Sequence, residues 1–246
     1  MTENFNKRKK TFTLLLATLL LTAFFYSCKN TKDDFVLDYH YNYYPIDSGH
    51  YVVYDVDSIH YASSGQVTYR DSARYQLREM ITDTFYDLEN QLCYKVELSR
   101  RANSSSPWTF DRVWHVKATK ANIQKTEGDV RFVKLIFPPK ENAEWNGNIY
   151  VPTTNQYSVF QDWEYYYKDV HQPYSINGFN FDSTVTVSEV DEENVIEKKL
   201  RKEVYAKGVG MIYQEWEVGA KQNVQAKWDT GIQNGFRIRM RVAEHN

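Results

Sequence analysis

The chain has 246 residues, with 30 lysines and arginines against 32 aspartates and glutamates, and its formal net charge at pH 7 is −2. The basic residues are scattered along the sequence. No basic stripe of the kind that binds phosphate backbones is visible, so a nucleic-acid partner is not expected. The length is enough for one ordinary hydrophobic core or two small ones.

The N-terminal segment has the pattern of a secretory signal peptide. A basic cluster at residues 7–10 precedes an apolar run, Thr11 to Phe25, which is shorter than the ~20 residues that a membrane-spanning helix needs. Ser27-Cys28 follows, and a small residue directly before a cysteine resembles the lipobox of bacterial lipoproteins. This resemblance implies removal of residues 1–27 and acylation of Cys28, for example with palmitate. An uncleaved N-terminal anchor is the alternative.

The residues after Cys28 predict a tether and a location. Residues 28–34 are polar and predict a flexible leash between the lipid and a single β-rich domain at residues 35–246. Lys32-Asp33-Asp34-Phe35 is similar to the acidic export signals of Bacteroidota lipoproteins that reach the cell surface, although an ordinary solvated linker would look the same. We therefore expect a cell-envelope protein that is lipid-anchored to the outer membrane, on its periplasmic face or on the cell surface.

Composition and turn signals together predict the fold class. The chain contains 20 Tyr, 13 Phe and 6 Trp, and aromatic side chains favour strands, where the rings pack and the tyrosine hydroxyls reach water. Short strand-like segments alternate with Asn-Gly and Asp-containing turns. The prediction is a mostly-β protein with a single antiparallel β domain, half-open barrel-like or sandwich, and with one or two short helices.

In chain order, the strand signals begin at Tyr51. Residues 51–61 predict a long strand, with a bulge or bend near Asp57-Ser58 that would keep the apolar residues inward. Asp87–Asn90 predicts the turn of a hairpin. Further strands are predicted at residues 73–85, 92–98, 110–118, 130–137, 163–167, 179–190, 205–213 and 236–242.

Three segments carry more specific predictions. The apolar residues 130–137 predict a central strand, which ends at Pro138-Pro139. Residues 194–204 place apolar side chains at four-residue spacing, which fits a helix face and also the parity of a strand, and we prefer the helix. Trp145-Asn146-Gly147-Asn148 predicts a tight turn, in which Trp145 either caps one end of the domain or offers a stacking surface.

Several separated blocks occur in a recognisable order: Tyr44-Pro45, Gly49-His50-Tyr51, Phe132–Pro138, Trp145–Asn148 and Tyr205-Ala206-Lys207-Gly208-Val209-Gly210. Together they resemble a group of Bacteroidota envelope lipoproteins whose function is unassigned, and this resemblance implies no catalytic residue. The last block is also similar to a strand start in half-open β-barrel envelope lipoproteins, which cup a lipid or acyl chain on their concave side. That second resemblance implies a lipid ligand.

Motifs for catalysis, cofactors or metals are missing from the sequence. No histidine pair or Cys/His cluster has metal spacing, and no nucleophile elbow or complete dinucleotide fingerprint occurs. Asp55, Asp57 and His60 could approach a metal ion, but an exposed polar strand face accounts for them. Asp191–Glu193 similarly fits a solvated turn or helix start better than a calcium site. We predict no catalytic, cofactor-binding or metal-binding residue, and we expect no enzyme.

Two further observations concern modification. With Cys28 acylated, Cys93 would lack a disulfide partner, and its strand-like surroundings predict a small packing residue. Three strings resemble the Asp-Ser acceptor sequence for O-glycans in exported Bacteroidota proteins, and any that are used should lie on exposed loops. They are Asp57-Ser58-Ile59, Asp71-Ser72-Ala73 and Asp182-Ser183-Thr184.

The leading functional hypothesis is a non-enzymatic envelope lipoprotein that carries a lipid or acyl ligand or has a structural role. The alternatives are a surface module that binds glycans or peptides and, less favoured, a hydrolase. The direction in which the aromatic side chains point discriminates among them. A concave apolar face would favour the carrier, and its candidates are Phe132, Leu135, Phe137, Trp114 and Met211. An exposed row would favour the glycan module, and its candidates are Trp145, Trp163, Tyr166 and Trp216.

Overall fold

The computed structural model describes residues 41–64, 67–152 and 154–246. The predicted signal peptide, Cys28, the tether and the Lys32–Phe35 string lie outside these residues. No helix within the described ranges is long and apolar enough to cross a membrane.

Twelve strands make up most of the described chain. They are β1 (Tyr51–Ser64), β2 (Val67–Tyr86), β3 (Leu92–Arg101), β4 (Thr109–Ala118), β5 (Asn122–Glu127), β6 (Val130–Ile136), β7 (Glu144–Trp145), β8 (Tyr165–Ile176), β9 (Phe179–Glu193), β10 (Glu197–Ala206), β11 (Gly210–Ala220) and β12 (Asn234–His245). The helical elements of the same ranges are two 3-10 turns at Tyr41–Tyr43 and Asn155–Phe160 and a single α turn, α1, at Trp228–Gly231.

All twelve strands belong to one antiparallel sheet that curls into a nearly closed barrel with an unsealed seam. The order is β6-β5-β4-β3-β2-β1-β12-β11-β10-β9-β8-β7, so two meanders lie side by side and are joined where the first strand pairs with the last. The prediction of a mostly-β, barrel-like antiparallel domain is confirmed. All twelve strands of the described residues lie after Lys29, so a chain that begins at Lys29 retains the whole of this sheet.

The seam lies between β6 and the β7–β8 region, and a few polar contacts bridge it. The Val133 amide donates to the Gly147 carbonyl at 2.8 Å, and the Trp145 indole donates to the Val133 carbonyl at 2.8 Å. The Tyr167 hydroxyl accepts from the Ile136 amide and donates to its carbonyl, both at 2.8 Å. Trp145 therefore bridges the seam of the barrel and does not cap one of its ends.

Two sequence predictions about strands are wrong, and the sheet explains both. Residues 130–137 do not form a central strand, because β6 is the last strand of the pairing order and is buried only where the barrel curls back on itself. Residues 194–204 are not helical, because β10 pairs with β9 on one side and β11 on the other. Apolar residues four positions apart lie on one face of a helix and also on one face of a strand. The hydrogen bonds to β9 and β11 decide in favour of the strand.

Local backbone features also differ in part from expectation. The register of β1 against β2 is regular through Asp57 and Ser58, and the irregularity of β1 lies at Val53/Tyr54 against β12, so the expected bulge is misplaced. Asn177 and Gly178 have φ of 55° and 85°, as a two-residue hairpin turn between β8 and β9 requires. The Asn177 side chain then donates to Asp55 and to the Val242 carbonyl, which holds this hairpin against the outside of the sheet.

The segment before β1 packs across the end of the barrel where β10 turns into β11. The Gly208 amide donates to the Asn42 carbonyl at 2.8 Å, and the His50 imidazole lies 2.9 Å from the Val209 carbonyl oxygen. Tyr43 is fully buried, with its hydroxyl 2.8 Å from the Ser183 Oγ. This segment therefore covers this end of the barrel.

Candidate functional site

The barrel contains a cavity of about 390 Å³ that is open to the surface. This volume lies within the range of about 300–1,000 Å³ that is usual for small-molecule sites. The cavity reaches the surface beside Arg100 and Arg112, whose side chains are 50% and 57% exposed. Asp111 lies between them and forms ion pairs with both. The three residues form the polar rim of the cavity.

The wall of the cavity is mostly apolar and is contributed by strands from both meanders. Its main members are Leu77, Leu98, Trp114, Phe132, Trp216 and Met240. Of the residues expected on a concave apolar face, Trp114, Phe132 and Met211 line the cavity, whereas Leu135 and Phe137 do not and belong to the core. Trp114 and Trp216 remain half-buried, so part of the wall is accessible from the mouth.

Beneath the apolar wall lies a charged layer of seven inward-facing side chains: Glu79, Lys125, Glu127, Lys134, Glu189, Arg201 and Glu203. Glu79, Lys125, Glu127 and Arg201 line the cavity directly, together with Gln214. The sequence analysis missed this layer, because charged residues that alternate along a strand are normally assigned to the solvent face. An inward set is recognisable only once the sheet is known to close.

The deepest part of the charged layer is a compact ion-pair network. Lys134 Nζ lies 2.7 Å from Glu189 Oε1 and 2.6 Å from Glu203 Oε1, and Arg201 contacts Glu189, Glu203 and Glu127 at 3.1, 3.4 and 3.2 Å. Tyr205 and Gln214 also donate to Glu203, at 2.5 and 2.9 Å. Lys134, Glu189, Arg201 and Glu203 are each at most 1% exposed.

The carboxyl groups of the layer differ in how strongly they hold a proton. Burial alone would raise the pKa of Glu203, but Lys134 and Arg201 outweigh it and hold the pKa at about 2. The pKa of Glu127 is also lowered, because Lys134, Lys125 and Arg201 outweigh its burial. Burial dominates at Glu79 and Glu189 and raises the pKa of both above the ordinary value. The layer therefore contains two carboxyl groups with a lowered pKa, Glu203 and Glu127, and two with a raised pKa, Glu79 and Glu189.

We expect the free energy of unfolding to fall as the pH is lowered from 4.5 towards 2. Glu203 and Glu127 have pKa values below the ordinary 4.5, so the stability that they contribute is present above that pH and is lost on protonation of the folded state. Urea unfolding at a series of pH values measures this. Glu127→Gln should show a shallower decline, and equal slopes for the variant and the natural chain would contradict the assignment.

Cationic side chains of the protein lie over the aromatic rings next to the cavity. Lys125 Nζ lies 4.7 Å from the Trp114 ring centroid, and the Arg201 guanidinium lies 4.5 Å from that of Trp216. At the rim, Arg100 lies over the Tyr75 ring at 5.2 Å. These contacts stabilise the cations beyond what the carboxylates supply.

The four aromatic residues considered for a glycan platform do not form an exposed row. Trp163 is 5% exposed and belongs to the core, and Trp145 closes the seam. Trp216 faces the cavity. Tyr166 is half-buried beside Lys168, whose ammonium lies 4.8 Å from its ring centroid. No two of these four side chains therefore belong to the same flat exposed surface.

On the outside of the barrel, charges of opposite sign alternate across the strands. In register, Arg74, Asp57, Arg239, Glu215 and Lys202 form one row over five strands. Asp57 is within 2.9 Å of Arg74 and 2.6 Å of Arg241. Cross-strand pairs of this kind stabilise sheets. The sheet thus gathers arginines that are scattered in sequence, but it places carboxylates between them.

The remaining sequence candidates lie in strands. Cys93 is buried in β3, as expected of a packing residue, and burial raises the pKa of its thiol. Ser58, Ser72 and Ser183 of the acceptor-like strings lie in β1, β2 and β9, not on loops, and Ser72 is the exposed one. No group of His, Cys, Asp and Glu side chains in the described ranges is arranged to hold a metal ion.

Comparisons with protein-family models, curated proteins and solved structures find nothing that matches this chain. The fold and the cavity are therefore the basis for assigning a function.

Proposed function

We propose that this protein is a non-enzymatic, membrane-anchored envelope lipoprotein whose barrel binds an amphipathic ligand with a lipid or acyl part. The observation that supports the proposal is the open cavity of about 390 Å³, which has an apolar wall above a charged layer. An apolar wall favours an alkyl chain because its burial removes apolar surface from water. The anchor is the acylated Cys28, and the location is the outer membrane.

The composition of the lining favours an amphiphile over a purely apolar ligand. Glu79, Lys125, Glu127 and Arg201 border the same space as Leu77, Leu98 and Trp216. A ligand without polar groups would leave the charged layer in contact with alkyl carbon, and a fully polar ligand would leave the tryptophan wall uncovered. An amphiphile satisfies both surfaces at once.

Two readouts of mass spectrometry test the proposal. The full chain isolated from bacterial membranes should begin at Cys28 and carry acyl mass there. The soluble chain that begins at Lys29, sprayed under native conditions, should retain a single non-covalent amphiphile. A bare peptide mass in the second measurement, together with no response of the tryptophan fluorescence to added acyl amphiphiles, would overturn the cavity as a binding site.

A variant with a filled cavity gives the matching control. Ile238→Trp adds an indole at a half-buried position in the lining of the cavity, and we expect it to weaken binding of the retained amphiphile about tenfold or more. Ile149→Trp adds the same side chain at a position that is 62% exposed and outside the cavity, and it should bind like the natural chain. Equal binding by the two variants would place the ligand elsewhere.

A further inference from the structure

The charges of the buried layer do not cancel. Four carboxylates, of Glu79, Glu127, Glu189 and Glu203, meet three cations, of Lys125, Lys134 and Arg201, so the fully ionised layer has one negative charge in excess. An anionic head group deep in the cavity would add to this excess, and a cationic head group would reduce it. At the rim, Arg100 and Arg112 face the single carboxylate of Asp111, but their side chains are 50% and 57% exposed and are screened by water.

Each cation of the layer already contacts at least one carboxylate. Lys125 Nζ is 3.0 Å from both Glu79 oxygens, and Lys134 Nζ lies between Glu189 and Glu203. Arg201 contacts three carboxylates and lies against the Trp216 ring. An anionic ligand would therefore compete for these cations with carboxylates that are already in place.

The carboxylate with spare capacity is Glu127, on the cavity side of the layer. Its Oε2 accepts from Arg201 at 3.2 Å, whereas its Oε1 lies 3.6 Å from the Lys125 ammonium, too far for a hydrogen bond. The side chain is 16% exposed and lines the cavity. A ligand group with N–H donors can therefore reach it without breaking an ion pair.

The aromatic wall distinguishes between kinds of cation. A quaternary ammonium group is bound mainly by open aromatic faces, but the rings of Trp114, Trp216 and Tyr75 are occupied by Lys125, Arg201 and Arg100. What the site offers is a carboxylate oxygen that can accept a hydrogen bond, and a charge-assisted hydrogen bond requires an N–H group.

We propose that the amphiphile in the cavity carries a cationic head group with N–H donors, a primary ammonium or a guanidinium, which pairs with Glu127 while its apolar part lies along the wall of Leu77, Leu98 and Trp216. This inference rests on the proposed function, because it names the ligand class of the same cavity.

Four amphiphiles with one common tail test the head group. Octylammonium, octyltrimethylammonium, octyl sulfate and octyl glucoside are titrated into the chain that begins at Lys29, and the Kd values are read from tryptophan fluorescence, because Trp114 and Trp216 line the cavity. We expect octylammonium to bind most tightly, by about tenfold or more over octyl sulfate, which corresponds to about 1.4 kcal/mol. Octyltrimethylammonium and octyl glucoside should lie between them.

Glu127→Gln removes the proposed partner and should abolish the preference for octylammonium over octyl glucoside. Glu164→Gln makes the same change at an exposed position outside the cavity and should keep the order of affinities. If none of the four amphiphiles binds, the proposed function fails together with this inference. If all bind equally, or octyl sulfate binds best, the cavity remains a binding site and the cationic head group is excluded. Should Glu127→Gln not fold, the order of the four affinities in the natural chain decides.

Discussion

Lys134→Met should lower the free energy of unfolding by about 3–5 kcal/mol, the usual effect of removing one partner from a buried ion pair. Lys134 is 1% exposed and its ammonium lies within 2.7 Å of Glu189 and Glu203, which are themselves buried. The substitution keeps the volume of the side chain but leaves four carboxylates against two cations. Neither Glu189 nor Glu203 can turn to water, so the cost cannot be relieved by hydration. Urea unfolding at pH 7 measures the change.

Lys117→Met is the matched control for this prediction. Lys117 is nearly as buried, with 7% of its side chain exposed, and it also pairs with two carboxylates, but those of Asp87 and Glu89 are 22% and 65% exposed and can be rehydrated. We expect a loss of about 1 kcal/mol or less. The double variant Lys134→Met/Glu189→Gln also removes the carboxylate of Glu189, which would otherwise be left without Lys134. We expect it to lose less free energy of unfolding than Lys134→Met alone. Equal losses for the two lysine variants would show that the layer contributes no more than a surface pair.

Gly235→Ala should be the most disruptive single methyl addition in the sheet, with a loss of about 3 kcal/mol or more in the free energy of unfolding. Gly235 of β12 pairs with Gly219 of β11 at a φ of 128°, and an added Cβ would collide with the carbonyl oxygen of Val218. Both strands are held by further pairings, so the backbone cannot move away without losing register. Thermal unfolding of the variant measures the effect.

Gly178→Ala separates the collision from the backbone strain. Gly178 also has a positive φ, 85°, but an added Cβ would have nothing within 4 Å. Only the cost of placing an L-residue in the left-handed region remains, about 1–2 kcal/mol. If the two alanine variants lost the same stability, the close approach of β12 to Val218 would not be a determinant of the sheet.

Much of the fold is predictable from the sequence because its signals are local. Asn177-Gly178 has the residues that a two-residue hairpin turn requires, and Asp87–Asn90 is likewise flanked by alternating apolar residues. Period-two patterns locate most of the strands, and tyrosine-rich strands with polar turns exclude a helical protein. The environment of Cys93 follows from the same pattern.

The errors arise where one local pattern fits two structures. The apolar run of β6 reads as a central strand, but it is an edge strand that is buried by the curl of the barrel against the region of Trp145 and Tyr167. The spacing of residues 194–204 serves a helix and a strand equally well, and the hydrogen bonds that β9 and β11 provide are not visible from within the segment.

By itself, then, the sequence determines the β class of this protein, its turns and the choice of strand residues, because these depend on neighbours along the chain. Which face of each strand is inside depends on closure of the sheet, which brings β2, β5, β6, β9 and β10 to one centre. Only the tertiary structure therefore places Glu79, Lys125, Lys134, Glu189 and Arg201 in the interior. Charges interact more strongly in the interior because its dielectric constant is low. An excess of one carboxylate there can favour a cationic ligand over an anionic one.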